Sequence, residues 1–187
     1  MKFLLFLWII LTAYLHAELK FIGENLTFVL KEKRFSVSGT YFFKNSGSSM
    51  IKTRLHYPFM ADSAKYEAAD SVYVYNQQNG NKEILRRSQD CIYFPVECPP
   101  DSTVQYLIGY SQNLKKDEAE YILTTTGNWN APLLFADYNL VADTSLVIDS
   151  FSYEPDRSFK SSDKHCFVWH MDYFMPPHNM LFKFHKK

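Results

Sequence analysis

The residues best suited to chemistry lie near the C-terminus, where His165 and Cys166 are followed by His170, Asp172 and His178. On a strand Cys166, His170 and Asp172 share one parity, so their side chains can face one pocket with His178 on the loop that follows. Imidazole nitrogen and thiolate of this kind suit zinc or copper. The spacing matches no known zinc pattern, however, and the plain expectation is surface histidines with no metal and no cofactor. His165, Cys166, His170 and His178 are the candidates should that fail. A nucleophile pair of Cys166 and His170 is weaker still, because four residues of strand separate them by about 13 Å.

Three cysteines, Cys91, Cys98 and Cys166, leave one thiol over once a pair has formed. A straight strand from Cys91 to Cys98 holds its ends about 23 Å apart, too far to bridge. A bend at Pro95 keeps that pair open, and the better expectation is a disulfide from Cys166 to Cys98 or Cys91. Two further groups could carry function. Asp117, Glu118 and Glu120 form a carboxylate cluster, although a glycosidase needs two carboxyls facing each other from separate elements. Trp129 stands between Asn128 and Asn130, and an indole flanked by amides can stack on a sugar or anchor a partner. The plainer reading is that the same indole caps one end of the core. There is no Gly-rich phosphate loop, no Gly-x-Ser-x-Gly and no His-Glu-x-x-His.

The elements that must position these groups are strands. Val104, Tyr106, Ile108 and Tyr110 alternate with polar or small residues, the period of two of a half-buried strand. A second run, Tyr121 to Thr126, is rich in β-branched and aromatic residues, and a third carries Ala136, Tyr138 and Leu140 on one face. Leu26, Phe28 and Leu30 predict a strand, as do Phe35, Val37, Tyr41 and Phe43, with Gly39 in the latter row marking a close approach or a bulge. Asn79-Gly80 reads as a hairpin turn with a return strand from Glu83 to Arg87. A parity slip places a bulge near Asp149-Ser150. Met180, Phe182 and Phe184 make the last strand a packed one. The count is ten to twelve short strands without a convincing helix, which predicts an all-β fold, an antiparallel β-sandwich of the immunoglobulin-like kind.

Lys2, the apolar run Phe3 to Leu15 and Ala17 read as a cleaved signal peptide over residues 1–17. The apolar run is shorter than the roughly 20 residues a membrane-spanning helix needs, so no membrane span is expected once the signal is removed. Cleavage leaves a single domain over 18–187, with Gln112 to Glu120 as the only candidate boundary, in a periplasmic or secreted location. Twenty basic residues balance twenty acidic ones, which gives no electrostatic footprint for nucleic acid. Aromatics at 17% fit strands filled with Tyr and Phe.

Short landmarks run through most of the mature chain: Tyr41-Phe42-Phe43-Lys44-Asn45, His56-Tyr57-Pro58-Phe59, Tyr110-Ser111-Gln112, Tyr121 to Thr125 with Trp129, and Phe174-Met175-Pro176. In these the chain resembles exported bacterial β-sandwich proteins of uncharacterised function. The resemblance implies a periplasmic or secreted place and brings no catalytic residues. The function expected is a non-enzymatic binding or structural component of the cell envelope with a protein or glycan partner. The alternatives are a carbohydrate-binding module using Trp129, Asn128 and Asn130, and a carbohydrate-active enzyme using Glu118 or Glu120.

Overall fold

The computed structural model describes residues 19–187, so the expected signal peptide lies outside the described residues. Thirteen strands follow one another: β1 (Leu19–Lys31), β2 (Arg34–Asn45), β3 (Ile51–Pro58), β4 (Asp70–Asn76), β5 (Arg86–Arg87), β6 (Cys91–Cys98), β7 (Ser102–Asn113), β8 (Glu118–Tyr121), β9 (Leu133–Asp143), β10 (Leu146–Phe151), β11 (Arg157–Ser161), β12 (Lys164–Phe174) and β13 (Met180–Lys186). A 3-10 turn, Thr124–Trp129, is the single helical element among the described residues. The chain is mostly β, with slightly more strands than the sequence count suggests.

Seven strands form one large sheet in the order β11-β12-β9-β1-β2-β7-β4, and two three-stranded sheets have the orders β10-β13-β8 and β3-β6-β5. The expectation of purely antiparallel pairing is corrected at one place. Strand β1 runs parallel to β9, with Leu26 opposite Tyr138 and Phe28 opposite Leu140. The two strands are far apart in sequence, and a chain that travels through β2 to β8 before returning is free to arrive in either direction, so local alternation carries no record of it.

One face of the large sheet is lined by the residues whose alternation was visible in the sequence. Leu26, Phe28 and Leu30 of β1, Phe35, Val37, Tyr41 and Phe43 of β2, and Tyr138 and Leu140 of β9 are all buried. Both small sheets lie against this face. Phe28 meets Phe182 of β13 with ring centroids 5.6 Å apart, and Tyr106 of β7 meets Phe94 of β6 at 5.6 Å. Tilted aromatic pairs at this separation add about 0.5 to 1.5 kcal/mol each beyond the area they bury.

Gly39 shares the parity of the buried row of β2, and a Cβ there would stand 2.1 Å from the Asn25 carbonyl oxygen, so β1 and β2 approach as closely as they do only around a glycine. The register between β10 and β13 shifts between Ile148 and Ser150, where the parity slip had placed a bulge. Two other expectations change. The return strand after Gly80 is reduced to a single bridge between Tyr75 and Lys82, and Arg86–Arg87 pair with β6 in another sheet. Strand β8 ends at Tyr121 where the sequence runs on as strand to Thr126. Asn179 Oδ1 accepts the backbone N–H groups of Leu123 and Thr124 at 3.1 and 3.2 Å, and donors satisfied by a side chain no longer need a ladder.

Candidate functional site

At the level of sequence the site begins with a flaw in β1. Leu19 and Phe21 are buried on odd positions, whereas Glu24, Leu26, Phe28 and Leu30 are buried on even ones. The register against β2 slips between Phe21 and Gly23, and the extra residue of this bulge turns the strand over. Phe21 and Glu24 therefore point to the same side, and a carboxyl enters the core face with only 1% of its surface exposed.

Tyrosines from four other strands surround that carboxyl. Tyr138 of β9 donates to Glu24 Oε1 at 2.5 Å, and Tyr121 of β8 donates to Oε2 at 3.2 Å. The Tyr121 hydroxyl is 2.9 Å from that of Tyr41 in β2, which is 2.7 Å from that of Tyr57 in β3. Tyr41 thus ties the large sheet to both small sheets through one hydroxyl. Burial raises the Glu24 carboxyl from 4.5 to about 7, and the hydrogen bonds from Tyr138 and Tyr121 pull the other way. The phenols of Tyr41, Tyr57, Tyr121 and Tyr138 are all held well above their ordinary range, chiefly by burial. At neutral pH the network consists of neutral phenols around one carboxyl close to half ionised.

Beside the network lies a cavity of about 60 Å³. Glu24, Tyr41, Tyr57 and Tyr121 supply its polar wall, and Phe21, Phe43, Phe94, Ile108 and Trp129 its apolar one. A wider recess of about 370 Å³, lined by Leu19, Leu55, His56, Thr125, Asn128 and Trp129, shares four of these residues with the cavity and adjoins it. Trp129 stands where the two meet, half-buried, with its ring 5.9 Å from Phe21 and 5.7 Å from Phe43. The two readings of Trp129, contact residue and cap on the core, are therefore compatible. The 3-10 turn that carries it is pinned by Asn179, whose Oδ1 also accepts from Thr124 Oγ1 at 3.0 Å, and it ends at Asn130 in the left-handed region, φ 52°. Asn130 is exposed and lines neither the cavity nor the recess.

The other sequence candidates are dispersed. His165 is half-buried against Phe167, ring centroids 4.2 Å apart. Cys166 and His170 lie on the opposite face of β12, and His178 stacks on Tyr153 at 4.3 Å. His170 sits between Asp137 at 2.6 Å and Asp172 at 3.5 Å, and the hydrogen bond to Asp137 raises its pKa. Among the described residues no group of three or more His, Cys, Asp or Glu side chains is arranged to hold a metal ion.

Glu118 is paired with Lys65 at 2.6 Å, and Glu120 accepts from Asn179 Nδ2 at 2.8 Å, so both carboxylates are engaged in holding loops.

The disulfide expectation is corrected. Cys91, Cys98 and Cys166 are all free and buried. Cys98 lies inside the core with its thiol 3.9 Å from the Phe43 carbonyl oxygen. Cys166 pairs with Val141 on the face of the large sheet turned away from that core. The sheet itself separates the two thiols. Cys91 belongs to β6 in another sheet, and its distance along that strand from Cys98 excludes a bridge between them.

Glu24 and its tyrosines went unnoticed in the sequence. One signal was present, since Glu24 shares parity with Leu26, Phe28 and Leu30 and is an acid in a core row.

No protein-family model matches the sequence, and no curated protein matches it. Among solved structures the chain is similar to a candidate nutrient binding protein from Legionella pneumophila, with TM-score 0.74 and 13% identity over 89% of this chain and 66% of that one. It is also similar to an M1 zinc metallopeptidase from Deinococcus radiodurans, with TM-score 0.55 and 10% identity over 88% of this chain and 42% of that one. The chain spans less than two thirds of the length of either. At such identities the likeness speaks to fold alone. Among the described residues no helix is long and apolar enough to cross a membrane.

Proposed function

We propose that this chain is an exported, non-enzymatic binding protein of the cell envelope, a single β-sandwich domain over 18–187 that receives a small ligand, or a projecting group of a protein or glycan partner, at the Trp129 recess. The observation that carries this reading is a recess of mixed polar and apolar lining that adjoins a mostly apolar cavity with a few convergent polar groups, which is the general form of a small-molecule site. The likeness to a candidate nutrient binding protein supports a binding role, and Lys2, the apolar run to Leu15 and Ala17 support export. The carbohydrate-binding reading keeps one observation in its favour, that Asn128 and Trp129 both line the outer recess. The enzyme reading draws on the metallopeptidase likeness, and on Glu118 and Glu120, which are already engaged by Lys65 and Asn179.

Calorimetric titration of the protein from Glu18 onward with sugars, oligosaccharides, amino acids and small amines tests the proposal. One class binds, and Trp129→Ala abolishes the binding. Turnover of any of them that is lost on Glu120→Gln overturns it in favour of the enzyme.

A further inference from the structure

The inner cavity has a composition that favours one kind of guest. Its walls present the rings of Phe21, Tyr41, Phe43, Tyr57, Phe94 and Trp129, and Glu24 is its single carboxyl. Aromatic faces attract a cation through their negative quadrupole, the more strongly once water is removed. Glu24 has acceptor capacity left, because an ionised carboxylate offers about four lone-pair sites and one hydrogen bond reaches each oxygen. No Lys or Arg lines the cavity, and His56 of β3 is the one titratable nitrogen in its wall. A volume of about 60 Å³ is more than a single water needs and suits a small head group.

We propose that the cavity between Glu24 and Trp129 binds the ammonium head of a small organic cation, primary or methylated, with Glu24 as counter-ion and the surrounding rings as its cage. This rests on the binding reading above and names the ligand class of that site. The remainder of the ligand lies in the outer recess, against Leu19, Leu55 and Asn128. An arriving cation stabilises the ionised carboxyl, so binding expels the proton that the buried Glu24 retains near neutrality. The groups facing Glu24 from the packed elements are the phenols of Tyr41, Tyr57, Tyr121 and Tyr138, which stay neutral, and His56 at the cavity wall.

The test is calorimetry of the purified protein with methylammonium, tetramethylammonium, choline and 3,3-dimethyl-1-butanol, the neutral isostere of choline. At pH 8 at least one cation binds tenfold or more tighter than the isostere, and its affinity falls about tenfold by pH 6 as Glu24 takes up its proton. In buffers of different ionisation enthalpy at pH 7, binding releases a fraction of a proton. Glu24→Gln removes both the cation preference and the proton release, while Glu97→Gln, at an exposed carboxylate paired with Lys52 outside the cavity and the recess, retains them. Equal affinity for choline and its isostere overturns the cation assignment but leaves the binding reading standing. So does a cation preference that survives in Glu24→Gln. Failure of all four probes also overturns the assignment, and the broader titration with sugars and amino acids then decides the binding reading independently.

Discussion

Tyr138 donates its phenolic hydrogen to Glu24 across 2.5 Å, and the two residues stand on β9 and β1, the one parallel pair of the large sheet. A carboxyl placed by a bulge is thus held by a strand that arrives more than a hundred residues later. Burial of that carboxyl, only partly offset by the hydrogen bonds from Tyr138 and Tyr121, makes folding stability depend on pH. Below pH 4.5 Glu24 is protonated in both states. Between 4.5 and about 7 only the unfolded chain ionises, so the native state loses stability as pH rises, by about 3 kcal/mol in all, and the loss is complete above pH 7. Urea unfolding of wild type and Glu24→Gln at pH 4 and pH 8 checks this. The difference between the two proteins shifts by about 3 kcal/mol in favour of the variant at pH 8, and a constant difference contradicts the account.

Gly39→Ala places a methyl group 2.1 Å from the Asn25 carbonyl oxygen. Backbone cannot yield as a flexible side chain can, so the expected cost is about 1 to 3 kcal/mol, read as a lower urea midpoint with an unchanged slope.

How far the sequence discloses the molecule is clearest at three asparagines and one glutamate. Alternation reveals β1, β2, β7, β9 and β13 because each buries one face, and a period of two is then written into the residues themselves. It misreads Tyr121 to Thr126 as one strand, since the 3-10 turn there is imposed by Asn179, 55 or more positions away. Trp129 between Asn128 and Asn130 is legible as a contact residue, and the structure places Asn128 with it in the recess but leaves Asn130 outside. Glu24 carries a parity signal, but the tyrosines that hold it come from four separate strands whose arrangement no local pattern encodes.

The cysteines give a chemical check on the topology. With exposures of 4%, 0% and 8% for Cys91, Cys98 and Cys166, iodoacetamide leaves the native protein unmodified and alkylates three thiols per chain in denaturant. Peptide mapping that recovers Cys166 bridged to Cys98 or Cys91 contradicts the placement of Cys166 on the far face of the sheet.

His170 titrates above the ordinary histidine value of 6.5, first because of its hydrogen bond to Asp137 and further because of Asp172. Histidine proton resonances followed against pH show this directly, and Asp137→Asn lowers the His170 midpoint while leaving that of His165 in place.

The proposed binding site is tested most directly by the indole N–H resonances of Trp129 and Trp169 in the protein from Glu18 onward. Trp169 is 1% exposed and donates to the Tyr153 carbonyl oxygen at 2.9 Å, so it serves as an internal reference within the same fold. On titration with a mixture of sugars, amino acids and small amines, a ligand taken at the recess moves the Trp129 resonance in a saturable way and leaves that of Trp169 unchanged. Saturable binding that moves neither indole, or that leaves Trp129 fixed while Trp169 shifts, places the ligand elsewhere and contradicts the account.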